Sequence, residues 1–560
     1  MLLLLACEAP ANAPASLRQH EPRDDSALSD TSVDVTILPA TERPLTPLAP
    51  AALYRRASLD IRGRLPSIAE LDALDANPDS IETMLDALVD DPAVEERLVD
   101  LFAERWNMRL DAVPVSADQL GIGHLQEYDY LRNVEEEPLR LMARIGTSDL
   151  PWTDIVTVDY TLATPQLAAI WPLTRADGEG WQVARYTDGR PANGVLATNG
   201  MWWRYSTTPN NYNRSRAAAV SRLLLCQDFL TRPIRFAAAN LLEREDLLDA
   251  TRSEPTCAAC HSTLDPLAAS LFGFWNNDLF LLDEQRYYHP DREWLGEYYL
   301  GVAPAWFGTP LESAADLGPM VASDDRFVSC AVETVAESLW RRDADAVADF
   351  NTLQDLRGRF EESGLRLRPL LRAVLDTPDY RAGALTPDAT DADGATLQTL
   401  RMVPLQILGS AVLDATGFDW DESGWDALDN DRPGFRTLGG DVDGKSVMRP
   451  AHDPSVSRAL VVRRLAEGAA STAVDHDFGS SPGTPFLLDS SVKNLIPGDP
   501  AFDDQLVRLH RRLLGTTPNA ERLAADGAFF LSVRSTAGNG TQAWKTLIAG
   551  ILRDPAFWTY

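Results

Sequence analysis

Five residues carry the most specific chemistry in this 560-residue chain: Cys257-Ala258-Ala259-Cys260-His261. Two thiols separated by two residues reach the two vinyl groups on one edge of a porphyrin, and the next residue sets an imidazole under the iron. This is the spacing of c-type haem attachment. It predicts one haem c per chain, bonded through Cys257 and Cys260, with His261 as an iron ligand. Structural zinc would need a second Cys-x-x-Cys or a spaced His pair, but the other cysteines stand alone and no His-x-x-x-His occurs. A thioredoxin-like pair would need a βαβ setting that the surroundings lack. A plain Cys257–Cys260 disulfide would close only a small ring. Ser262 to Leu267 reads as the start of a turn, and Phe272-Gly273-Phe274-Trp275 as an apolar wall for the ring.

The sixth iron position divides electron transfer from catalysis, because an open position lets a small molecule reach the metal. Met320, in Gly318-Pro319-Met320, and Met201, beside Trp202-Trp203-Arg204-Tyr205, are the sulfur candidates. His289 and His452 are nitrogen candidates. Methionine is more often a core residue, and the sequence leaves all four open. Asp441-Val442-Asp443-Gly444 lacks the full calcium-loop pattern and reads as a turn. Glu135-Glu136-Glu137 reads as a solvated charge run. No phosphate loop, nucleophile elbow or zinc-protease motif occurs.

The remaining cysteines are Cys7, Cys226 and Cys330. Leu4-Leu5-Ala6-Cys7 has the form of a bacterial lipobox, with a short apolar run and no positive n-region. Lipidation at Cys7 would make the chain an exported, periplasmic or outer-membrane lipoprotein, touching membrane only through that lipid. Haem attachment by this motif belongs to an oxidising compartment, where spare thiols pair. Cys226 and Cys330 are then left as an even pair on either side of the motif, and a disulfide between them is expected.

The elements that must position these residues are mostly helical. Apolar residues recur at helical spacing over residues 81–106, with Pro92 opening a second helix, and again at 327–340, 365–375, 397–413, 456–465 and 502–514. Residues 154–208, rich in Gly, Thr and Asn, read as loops with short strands. An Arg pair recurs three times, as Arg55-Arg56, Arg341-Arg342 and Arg511-Arg512. Each is followed by helical segments that close on an Asp-Pro or Thr-Pro step. The third copy is longer, and its loop at residues 535–540 is the expected place for the excess. The Arg pairs are expected to cover helix ends or bond carboxylates. The fold class is mainly α: helical modules with small irregular or β insertions around the motif. A signal at 1–7, a Pro/Ala/Asp-rich linker at 8–50, a helical module at 51–150, a motif-bearing domain at 151–385 and a helical domain at 386–560 are expected. The net charge of −32 argues against nucleic acid and anionic membrane surfaces, and it permits a basic partner protein. No run of about 18 apolar residues is present to span a bilayer.

The segment from Cys257 to Pro266 is similar to the haem segment of large planctomycete-type cytochrome c proteins. These are secreted bacterial multidomain chains built from domains of unknown function. Leu53-Tyr54-Arg55-Arg56 through Gly63-Arg64-Leu65-Pro66 resembles the family's N-terminal helical module. Gly194-Val195-Leu196-Ala197-Thr198 with Leu223-Leu224-Leu225-Cys226 resembles its segment before the haem, and Phe327-Val328-Ser329-Cys330 its segment after it. Gly439-Gly440-Asp441-Val442-Asp443 is similar to a turn of the family. The resemblance covers most of residues 50–385. It departs after Pro266, where Leu267-Ala268-Ala269-Ser270-Leu271-Phe272 stands in place of the usual Gly-Phe and acidic-aromatic run. The resemblance implies export and one haem, and no settled reaction. Three functions fit: single-electron transfer at the envelope with a redox partner protein, a peroxidase- or oxygenase-like haem enzyme, and a binding scaffold with structural haem.

Overall fold

A computed structural model describes residues 44–124, 127–231, 251–275, 281–390, 401–480 and 483–560. The expected signal with Cys7, and all but the end of the expected linker, lie outside these residues. The linker stops before residue 50. Leu45–Pro47 is a strand paired antiparallel with Ala382–Leu385, and Pro50 opens a helix. The fold is mainly α, with sheets of two or three short strands.

Each Arg-pair segment is four consecutive α-helices. These are Pro50–Arg62, Ile68–Ala76, Ile81–Val89 and Val94–Arg105; then Asp325–Trp340, Phe350–Glu362, Leu367–Leu375 and Pro378–Arg381; then Pro500–Leu514, Ala520–Ala537, Gly540–Leu552 and Pro555–Trp558. The closing Asp-Pro or Thr-Pro step has a physical reason. Asp91 Oδ1 accepts from the Ala93 N–H at 2.9 Å, Thr377 Oγ1 from Tyr380 at 3.3 Å, and Asp554 Oδ1 from Ala556 at 3.0 Å. Pro378 and Pro555, at the first turn after the caps Thr377 and Asp554, lack only an N–H that this turn would leave unpaired, while Pro92 lies in the turn before Val94. The excess of the third copy is not in its loop: Ala520–Ala537 has 18 residues where Phe350–Glu362 has 13.

The Arg pairs cover helix ends and bond carboxylates, and most of these contacts run between copies. Arg55 donates to the Phe557 carbonyl at 2.9 Å, and Arg56 to that of Ala382 at 2.9 Å. Arg341 reaches both oxygens of Glu104 at 3.2 Å. Arg342 bonds Asp349 at 2.9 Å and Asp379 at 2.8 Å. Arg511 meets Asp75 at 2.7 Å, and Arg512 meets Asp414 at 2.7 Å.

One apolar core gathers side chains from Leu53 to Tyr380, so the boundary expected at residue 150 falls within continuous packing. A second core joins residues 402–558 to Leu59 of the first helix and to Leu65 just beyond it. In residues 154–208 the short strands form an antiparallel sheet of Thr161–Ala163, Gln182–Tyr186 and Leu173–Arg175, with Gln182–Tyr186 central. Helices Pro165–Ile170 and Asn199–Arg204 accompany them.

Glu135, Glu136 and Glu137 are not a solvated run: all three are buried. They lie on Glu127–Thr147, a helix covered by Val94–Arg105, by Asn199–Arg204 and by the small sheet. Glu136 is paired with Arg109 at 2.8 Å and Arg140 at 2.6 Å. Glu137 accepts from the Tyr186 hydroxyl and the Gly200 N–H, each at 2.8 Å. Among the described residues Glu135 accepts two long backbone hydrogen bonds, at 3.4 Å, and burial with the neighbouring Asp111 pushes its carboxyl up to about 8.

Candidate functional site

The motif opens a helix, Pro255–Ala269, with Glu254 extended before it and Pro255 in its first turn. The residues expected to turn after His261 continue this helix, because Leu264, Leu267 and Ala268 bury an apolar face against the main core. Cys260 and His261 fall three and four residues after Cys257, so the two thiols and the imidazole share one face. Both cysteines are free thiols and half-buried.

Asp265, one turn after His261, reaches back to the imidazole. Its Oδ1 lies 2.8 Å from His261 Nδ1. Arg214 grips the same carboxylate in a two-pronged bond, Nε to Oδ1 at 2.7 Å and Nη2 to Oδ2 at 2.9 Å. Burial pushes the Asp265 carboxyl up, but the bonds from Arg214 and His261 outweigh it and hold the group below its usual range. A carboxylate at Nδ1 fixes the proton there and leaves Nε2 as the ring's lone-pair donor. That is the arrangement by which outer residues orient a metal-binding histidine.

Arg214 is the first residue of helix Arg214–Leu225, and that helix ends at Cys226, whose backbone takes the left-handed form at φ 52°. Cys226 is bonded to Cys330 of helix Asp325–Trp340, with Cα atoms 5.2 Å apart. One short helix therefore carries the residue that fixes Asp265 at its start and a covalent tether at its end.

Phe272 and Trp275, expected to line the ring, belong to a cluster of aromatic side chains. Phe272 and Trp275 lie 5.4 Å apart, Trp275 and Tyr299 5.4 Å, and Tyr212 and Tyr299 stack at 5.3 Å. The Trp275 Nε1–H is buried with no hydrogen-bond partner among the described residues. A haem needs thiols for its vinyl groups, a nitrogen for its iron, apolar walls and donors for its carboxylates. The free thiols, the oriented imidazole, the rings and the orphaned indole N–H fit that group.

The elements packed most closely on the motif helix are Arg214–Leu225, Leu295–Leu300 and the strand Ala305–Trp306. Met201 is buried in the main core on Asn199–Arg204, which rests on Glu127–Thr147. Met320 is half-buried on Leu317–Ala322, which rests on Trp152–Val156. The His289 N–H donates to the Gly273 carbonyl at 2.8 Å, just beyond the motif helix. His452 is half-buried between Phe435–Leu438 and Val456–Asp477. A cleft of about 1010 Å³ lies elsewhere, lined by Arg109, Tyr128, Glu136, Trp181, Trp420 and Asp429 among others, and by none of the motif residues.

The sequence did not single out Arg214 or the role of Asp265. Arg214 is 51 residues from Asp265, and no spacing links them. Asp265 did carry a signal: four residues after His261, it shares the histidine's face once the segment is read as helix.

Residues 192–276 match the model of a family described as PSCyt3, protein of unknown function (DUF1588). The matched stretch contains the motif, Arg214, Cys226, Asp265 and the ring wall as far as Trp275. No curated protein and no solved structure matches the chain.

Proposed function

We propose that this chain is an exported bacterial c-type cytochrome that holds one haem on Cys257 and Cys260, with His261 on the iron, and passes single electrons at the cell envelope. The observation that carries this reading is the shared helical face of the two thiols and an imidazole whose Nδ1 is held by the Arg214–Asp265 pair. The PSCyt3 match over the same residues supports a cytochrome-like chain. When bound, the haem supplies an iron couple that takes up or releases one electron without making or breaking a bond. Cys257 and Cys260 would hold it, each S–H adding across one vinyl double bond to leave a C–S bond with no leaving group. Asp265 keeps the proton on Nδ1 and raises the basicity of the iron ligand. The Phe272, Trp275 and Tyr299 rings would supply apolar walls that keep water from a bound haem.

Export is supported by the Cys226–Cys330 disulfide, since such bonds persist in oxidising compartments. Lipidation of Cys7 as the membrane tether belongs to the same proposal. The test is a visible and near-ultraviolet spectrum of the reduced protein, made in a host that matures c-type haem, with and without carbon monoxide. Low-spin bands unmoved by carbon monoxide are expected for a transfer protein whose sixth ligand is a side chain. A shifted Soret band would place the chain among haem enzymes instead.

A further inference from the structure

A short helix, Leu295–Leu300, lies against the end of the motif helix. Gly296 permits this approach, since a Cβ there would sit 2.3 Å from the Ala269 carbonyl oxygen. With that face pressed inward, Trp294, Glu297 and Tyr298, at i, i+3 and i+4, turn outward together. Trp294 is 62% exposed and Tyr298 68%, and their rings meet edge to face at 5.7 Å. The exposed acids Asp283 and Asp291 lie just before this helix in the chain, and Tyr287 adds a third exposed ring.

Behind the surface the rings continue inward. Tyr298 touches Tyr299 at 5.1 Å, and Tyr299 touches both Trp275 at 5.4 Å and Tyr212 at 5.3 Å. The Tyr212 ring lies 5.9 Å from the Arg214 guanidinium, the group that clamps Asp265 beside His261. Contacting rings thus join the exposed pair to the residues that orient the iron ligand.

We propose that the face built on Trp294, Glu297 and Tyr298 is the docking surface for a basic one-electron carrier protein. This rests on the haem reading above and deepens it, by stating the partner's chemistry and where it binds. Tryptophan and tyrosine are the side chains that most often dominate interface energies. Their faces attract lysine and arginine. Glu297 on the same face, and the net charge of −32, steer a basic partner and repel an acidic one.

The haem-loaded chain is titrated by calorimetry, at low salt, with a small basic cytochrome c whose iron has been replaced by zinc, so that binding is read without electron exchange. Trp294→Ala and Tyr298→Ala should each raise Kd roughly tenfold. Glu297→Gln should weaken binding more than Glu521→Gln, which removes an exposed acid from Ala520–Ala537. Unchanged affinity in both ring variants, or equal effects of the two charge removals, would overturn the surface while leaving covalent haem intact. A preparation whose spectrum shows no covalent haem overturns the haem reading and this one with it. A dimer of this chain that Trp294→Ala dissolves would also overturn it.

Discussion

On the proposed haem reading, Asp265 would set the electron density of the His261 imidazole, so its effect is readable as a potential. Asp265→Asn keeps an acceptor near His261 Nδ1 but removes the negative charge that favours the ferric state. The midpoint potential should rise by tens of millivolts in a potentiometric titration, with the haem still attached; an unmoved potential would leave Asp265 a purely structural anchor. Glu135 gives a separate pH signature. Its folded carboxyl, pushed up to about 8, holds a proton that the unfolded chain releases near its ordinary value of 4.5. The stability it confers is complete below the unfolded value and is lost as pH rises through the folded one. Glu135→Gln should recover about 1–3 kcal/mol at pH 8.5 and little at pH 4, read by denaturant unfolding. The motif residues stood out because haem attachment would require that spacing of two thiols and an imidazole. The burial of the three glutamates was not, because charge alone gives no sign of which helix crosses the interior.

At the scale of elements, the disulfide and the helix Arg214–Leu225 work as a unit. The bond closes a separation of 104 residues. Replacing both Cys226 and Cys330 by Ser should lower stability by roughly 4–5 kcal/mol on the chain-entropy model, with the loss reproduced by reductant in thermal unfolding of the native chain. A double Ser variant as stable as the oxidised chain would show that the bond constrains little. Helix boundaries were legible where turn chemistry marks them: the break at Pro92 separates Ile81–Val89 from Val94–Arg105. They were not where small residues carry the pattern. The apolar run expected at 456–465 continues to Asp477, because Ala466, Ala469, Ala470 and Ala473 fill the second core. Alanines weigh little in a reading built on large apolar side chains.

For the whole molecule, the three four-helix segments are tied together through buried polar groups. Asp60 of the first accepts from Tyr380 of the second at 2.9 Å and from Tyr560 beyond the third. Arg56, also of the first, bonds the carbonyls of Tyr380 and Ala382. Arg56→Ala would leave those acceptors buried without their donor and should cost about 2–4 kcal/mol. Because the contact joins segments, circular dichroism and tryptophan fluorescence should still report one coincident unfolding transition; two separated transitions would show that the segments unfold independently. The repeat was legible from the Arg pairs and the Pro steps. The way the copies interlock was not, since Arg55, Arg56, Arg341 and Arg511 find their partners hundreds of residues away.

Covalent haem at the motif can be read from an intact-mass measurement in denaturant. Protein from a haem-maturing host should carry the added mass of one haem after unfolding and acidified organic extraction. Proteolysis should place that mass on the peptide containing Cys257 and Cys260, and Cys257→Ala should abolish it or leave a single, weaker thioether form. A chain that unfolds at its bare polypeptide mass, with the haem carried off into the organic phase, would contradict the account.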